Sequence, residues 1–113
     1  MMIEQALEYY QSNNFEAAFA LYQKMLNDEP ENPQLLYMMS LCRQKQNQWE
    51  QARKYLQQAI KLEPESSLFY YSLGAIEVRL GHIQTSLEAY QKATLYNPNE
   101  PRAWIGQGYA AMY

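Results

Sequence analysis

Few side chains in this sequence could carry covalent or acid–base chemistry. Among 113 residues there is one histidine, His82, and one cysteine, Cys42, with twelve acids and nine bases. A thiol or hydroxyl nucleophile needs a base within hydrogen-bond reach. Cys42 stands between Leu41 and Arg43 and has no histidine near it in the pattern described below, so it reads as a packed or half-exposed thiol. His82 follows Gly81 in a turn and reads as a solvated side chain. There is no glycine-rich phosphate loop and no Ser-His-Asp supply beyond the single histidine. One His and one Cys also make too small a ligand set for a metal ion unless carboxylates are arranged around them. No catalytic, metal or cofactor residue is therefore expected. The conspicuous chemistry is non-covalent: eleven tyrosines and six methionines supply contact area, polar tips and adaptable shape.

The elements that position these side chains recur with a fixed period. Pro30, Pro64 and Pro98 are 34 residues apart, and the segments ahead of them superpose without a gap. In that register Phe15, Trp49 and Ile83 share a column, as do Ala18, Ala52 and Ser86, then Tyr22, Leu56 and Tyr90, then Met25, Ala59 and Ala93. Steps of three and four mark one face of a helix. An upstream helix in each unit aligns Met2, Leu36, Tyr70 and Trp104, then Ala6, Ser40, Gly74 and Gly108. Small residues recur where two backbones must approach.

Each second helix must stop before its proline. Asn32 ahead of Pro33 and Ser66 serve as N-caps, and Pro101 opens a last helix. Asn13-Asn14, Gln46-Asn47-Gln48 and Gly81-His82 suit the turns inside each unit, since they tolerate left-handed backbone. Seven helices are expected, over about 1–12, 15–28, 33–46, 49–62, 67–80, 83–96 and 101–113.

A 34-residue helix–turn–helix unit with these small residues and a closing proline resembles the tetratricopeptide repeat, over the whole chain. The third unit, FYYSLGAIEVRLGHIQTSLEAYQKATLYNP, carries the pattern most fully, with Leu73-Gly74, Gly81, Ser86, Tyr90, Ala93 and Pro98. The resemblance implies an all-α, right-handed superhelical solenoid of antiparallel helix pairs. It would form a single domain over 1–113, with repeats at 1–32, 33–66 and 67–100 and a partial repeat or terminal helix at 101–113. Where the family often has a tyrosine late in the first helix, Tyr9 fits but Arg43 and Glu77 depart; a bridge between those two is one reading, two solvated charges the other. The last helix, WIGQGYAAMY, is not polar enough for a terminal cap. Either the chain is a fragment of a longer repeat protein, or this helix is covered by a partner or by a second copy in a homodimer.

In such a stack the first helices line a concave face. The columns pointing into it are Ile3, Tyr37, Tyr71 and Ile105; Leu7, Leu41, Ala75 and Tyr109; and Tyr10, Gln44, Val78 and Met112, with Met38 and Leu68 beside them. Nearly all are apolar or aromatic, and an apolar strip of this extent tends to be an interaction site. Its expected occupant is a protein or peptide with an apolar helical or extended segment; self-packing of adjacent first helices is the alternative. Lys45, Arg79 and Arg102 form a weakly basic rim, while Asp28, Glu29, Glu31, Glu63, Glu65 and Glu100 gather in the loops between units.

Composition excludes several other classes. A net charge of −3 with scattered bases does not suit nucleic acid. No stretch reaches the length of a membrane span, the N-terminus lacks the bases of a signal peptide, and a lone cysteine fits a reducing compartment, so a soluble cytoplasmic protein is expected. Some tetratricopeptide domains clamp the C-terminal carboxylate of chaperones with Lys, Asn and Arg. The matching positions here, Ile3, Leu7, Met38, Leu68 and Ser72, offer no cation, so that ligand is not expected. The expected role is a protein–protein interaction scaffold. Two alternatives are a secretion-type chaperone holding a client's apolar segment, and an N-terminal interaction or oligomerisation domain of a larger enzyme such as a transferase.

Overall fold

The structure is a computed structural model that describes residues 2–99. Among them stand six helices and no strand: α1 (Met2–Gln11), α2 (Phe15–Asp28), α3 (Pro33–Lys45), α4 (Trp49–Leu62), α5 (Ser67–Arg79) and α6 (Ile83–Tyr96). The sequence led to seven; the seventh, over 101–113, lies outside the described residues. The second helices begin and end where the pattern placed them. The first helices α1, α3 and α5 each stop one residue early, at Gln11, Lys45 and Arg79, with Gln46 and Leu80 as the C-caps of the last two.

Local chemistry sets these limits. Asn32 Oδ1 accepts a hydrogen bond from Gln34 N at 3.0 Å ahead of Pro33, and Ser66 Oγ accepts one from Phe69 N at 3.3 Å. Each satisfies one of the N–H groups that a helix start leaves unpaired. The three turns inside the helix pairs are built alike. Asn13, Asn47 and Gly81, again 34 apart, take left-handed φ values of 66°, 59° and 81°. The following N–H then reaches a carbonyl five residues back, Asn14 to Tyr9, Gln48 to Arg43 and His82 to Glu77, each at 2.8 Å. This Schellman closure satisfies the carbonyls that the helix end would strand.

The helices form two compact units, α1–α4 and α5–α6, divided between Leu62 and Glu63. In the first, α2 packs on both α1 and α3, and α3 packs on α4. Ala6, Ala18, Tyr22, Leu35, Met39 and Cys42 make its buried cluster. Phe19 meets Tyr55 edge to face at 5.6 Å, and Tyr10 meets Phe15 at 5.4 Å, arrangements that align a ring's positive edge with its neighbour's negative face. In the second unit α5 packs on α6, with Ile76, Ala89, Tyr90 and Ala93 buried.

The small-residue columns are where paired helices come closest. In the first unit Ser40 Oγ donates to the Ala52 carbonyl at 2.9 Å; in the second Ser86 Oγ donates to the Gly74 carbonyl at 2.8 Å. The same pair of columns is thus bridged twice, with the donor on opposite helices. Gly74 has no room for a side chain, since a Cβ there would lie 2.7 Å from Cε1 of Tyr90.

Candidate functional site

The two reactive side chains do not form a site. Cys42 is fully buried in the core of the first unit. Burial pushes its thiol up to about 11, which outweighs the lowering effect of the neighbouring Arg43, so it is a poor nucleophile. The side chain of His82 is 44% exposed at the turn before α6, with Nδ1 3.6 Å from Glu77 Oε1. Among the described residues no group of three or more His, Cys, Asp or Glu could hold a metal ion, and no helix is long and apolar enough to cross a membrane.

Arg43 and Glu77, the two departures from the tyrosine column, have neighbours within their own units. The guanidinium of Arg43 lies 3.6 Å from the Phe19 ring centroid. Its Nη1 reaches Glu16 Oε1 at 2.8 Å and Gln46 Oε1 at 2.6 Å, and Gln46 Nε2 also donates to Glu16 at 2.8 Å. The hydrogen bond from Arg43, followed by that from Gln46, holds the Glu16 carboxyl below its ordinary range. Arg43 therefore ties α3 to α2 through its charge and its stacking on Phe19.

The columns assigned to the inner face differ in burial. Ile3 and Leu7 on α1 are 57% and 43% exposed, and Leu68 on α5 is 40% exposed. Tyr10, Tyr37, Met38, Leu41 and Gln44 in the first unit, and Tyr71, Ala75 and Val78 in the second, are half-buried. Tyr10 and Met38 pack against the first unit's core, and burial raises the Tyr10 phenol above its ordinary value. Tyr71 lies 5.9 Å from the buried Tyr90 ring. Lys45 and Arg79, named for the rim, are exposed. Arg102, Ile105, Tyr109 and Met112 lie outside the described residues. Of the other tyrosines, Tyr22, Tyr70 and Tyr90 are buried and Tyr9 is half-buried, as their columns require.

One exposed residue beside these columns was not singled out by the sequence reading. Glu4 shares its register position with Met38 and Ser72, the signal that places it on the same side of α1 as Ile3 and Leu7.

The model of the tetratricopeptide repeat matches residues 9–76 and 45–109, two overlapping spans that together take in most of the chain. The chain belongs to the tetratricopeptide repeat family. This tetratricopeptide repeat chain is 31% identical over 87 residues to a probable UDP-N-acetylglucosamine–peptide N-acetylglucosaminyltransferase SPINDLY of Hordeum vulgare, an overlap of 77% of the chain and 9% of that relative. Among solved structures it is similar to the first tetratricopeptide domain of Spaghetti (RPAP3) bound to the HSP90 peptide SRMEEVD, with TM-score 0.94, 18% identity, and 98% and 88% of the two chains covered. It is also similar to the Yersinia enterocolitica type III secretion chaperone SycD in complex with a peptide of the translocator YopD, with TM-score 0.91, 15% identity, and 98% and 90% covered. At these identities the structural likeness establishes the repeat fold.

Proposed function

We propose that this tetratricopeptide repeat chain is a non-catalytic scaffold that binds an apolar helical or extended segment of a partner protein along the inner columns of its first helices. The observation that carries this reading is the exposure of large apolar side chains in these columns within each unit: Ile3 and Leu7 on α1 in the first, and Leu68 on α5 in the second. Apolar side chains left in water at helical spacing gain free energy when a partner covers them, at about 25 cal/mol for each Å² removed from water. Tyr37 and Tyr71 add wide contact with a polar tip at small entropic cost.

The same columns disfavour a terminal carboxylate. The positions corresponding to a carboxylate clamp hold Ile3, Leu7, Met38, Leu68 and Ser72, and an anion there would lose its water without gaining a cation. The acidic HSP90 peptide named for the Spaghetti domain is thus a poor model for the ligand of this chain.

A second reading is favoured by the barley relative, of which the chain spans 9%: the repeats are the interaction module of a larger transferase and present a protein segment to a catalytic domain elsewhere. The coding sequence on either side of these 113 residues tests it; a transferase domain in the same frame supports it.

The scaffold reading is tested by affinity capture with wild type beside two variants, Tyr37→Glu/Tyr71→Glu and Ile3→Asp/Leu7→Asp, with circular dichroism to show that each stays folded. Loss of the captured partner by both folded variants supports the groove. Retention by both places the binding site elsewhere.

A further inference from the structure

We propose that the α1 end of the groove selects a partner segment that carries a lysine or arginine beside its apolar side chains, and that Glu4 is the residue that reads this cation. The inference rests on the groove reading and adds the charge of the ligand. On a helix, residues three and four apart are neighbours. Ile3 and Leu7 therefore form one exposed stripe, and Glu4 adjoins it one turn below Leu7. Ala6 faces the core, with Tyr9 and Tyr10 packed around it, so the stripe runs between the buried face of α1 and its acidic face. A ligand centred on Ile3 and Leu7 therefore passes beside Glu4.

Three observations set the sign of the ligand. α1 carries Glu4 and Glu8, both exposed, and no Lys or Arg. Neither carboxylate has an ion pair or hydrogen bond with another described residue. In its register column Glu4 stands where Met38 and Ser72 stand, so it is the single ionised group of that column among the described residues. A cationic ligand side chain laid over it gains a charge partner, whereas an apolar or anionic one strips water from a carboxylate that has no ion-pair partner among the described residues, which is costly.

The same charges argue against a pairing of two α1 stripes across a two-fold axis, where α1 would meet α1. That would gather Glu4 and Glu8 of both copies with no cation on either helix.

Fluorescence anisotropy with three labelled synthetic peptides tests the proposal. All three share one amphipathic leucine pattern and differ only in polar positions, which are Lys, Gln or Glu. The protein is used as wild type, Glu4→Gln, Glu4→Lys, and Glu50→Lys, the last a control that changes net charge equally at an exposed site on α4. The lysine peptide is expected to bind wild type about fivefold more tightly than the glutamate peptide, the scale of a partly exposed ion pair, and the advantage should shrink with salt. Glu4→Gln should remove most of that preference and Glu4→Lys should reverse it, while Glu50→Lys leaves it in place. Equal binding of the lysine and glutamate peptides to wild type overturns the proposal, as does a preference that Glu4→Lys and Glu50→Lys weaken alike. The glutamine peptide isolates the underlying reading: if it binds and Ile3→Asp/Leu7→Asp abolishes binding, the groove stands whatever the charge result. If none of the three peptides binds, both readings fall.

Discussion

Gly74→Ala is the substitution whose sign the packing decides. On helix propensity alone, replacing a mid-helix glycine by alanine gains about 1 kcal/mol. Here the new Cβ would lie 2.7 Å from Cε1 and 2.8 Å from Cδ1 and Cζ of Tyr90. Ordinary carbon contacts lie at about 3.5 Å or more, so α5 and the ring must separate by roughly 0.7 Å. Tyr90 is only 5% exposed and has Tyr71 beside it, so its ring cannot swing into solvent. Overpacking of this kind costs about 1–3 kcal/mol, which leaves a net loss near 1 kcal/mol. The first unit shows that the cost is one of helix spacing: its columns pair Ala6 with Tyr22 and Ser40 with Leu56, all buried. Tyr90→Leu supplies the leucine that stands at Leu56 in the second of these pairs and removes the obstructing ring. In the Tyr90→Leu background Gly74→Ala should therefore become stabilising, giving a coupling of about 2 kcal/mol between the two positions. Urea and thermal unfolding followed by far-ultraviolet circular dichroism measure all four proteins. Gly74→Ala stabilising both backgrounds equally would refute the reasoning.

Three further outcomes follow from the same contacts. Cys42 is fully buried with its thiol pushed up to about 11, so a disulfide reagent at neutral pH should label the native protein only as fast as the first unit opens; immediate labelling would contradict this. Glu16 is held below its ordinary value of 4.5 by Arg43 and Gln46, and an acid of lowered folded pKa stabilises while ionised and loses that contribution as pH falls through its folded value. The urea midpoint of Glu16→Gln should accordingly lie below that of wild type near neutrality, and the gap should close below pH 4.5. Asn47 has φ 59°, so Asn47→Ala should cost about 1 kcal/mol and Asn47→Gly nothing, measured by thermal unfolding.

The 34-residue register made the helix pairs legible because it repeats the same packing need three times. Small residues at Ala6, Ser40 and Gly74 face small residues at Ala18, Ala52 and Ser86, and the left-handed turns fall at Asn13, Asn47 and Gly81. The Arg43 cluster was not legible. Its partners Glu16 and Phe19 sit on the preceding helix, 27 and 24 residues away, and only the close packing of α2 on α3 brings them together. Exposure within the inner columns was likewise hidden. Ile3 and Tyr10 both fall in columns that the register assigns to the inner face, yet Tyr10 packs onto the core beside Phe15 while Ile3 stays in water. The weight of Glu4 emerged only when its neighbours Ile3 and Leu7 proved exposed.

The most direct test of the account is methyl nuclear magnetic resonance of the isotope-labelled protein titrated with the leucine–glutamine peptide. Binding along the first helices predicts shifts concentrated at Ile3, Leu7, Leu41, Leu68 and Val78, with Leu21, Leu26, Leu62 and Leu95 on the second helices unmoved. Shifts confined to that second set would contradict the central claim, because the apolar segment would then lie on the opposite helices.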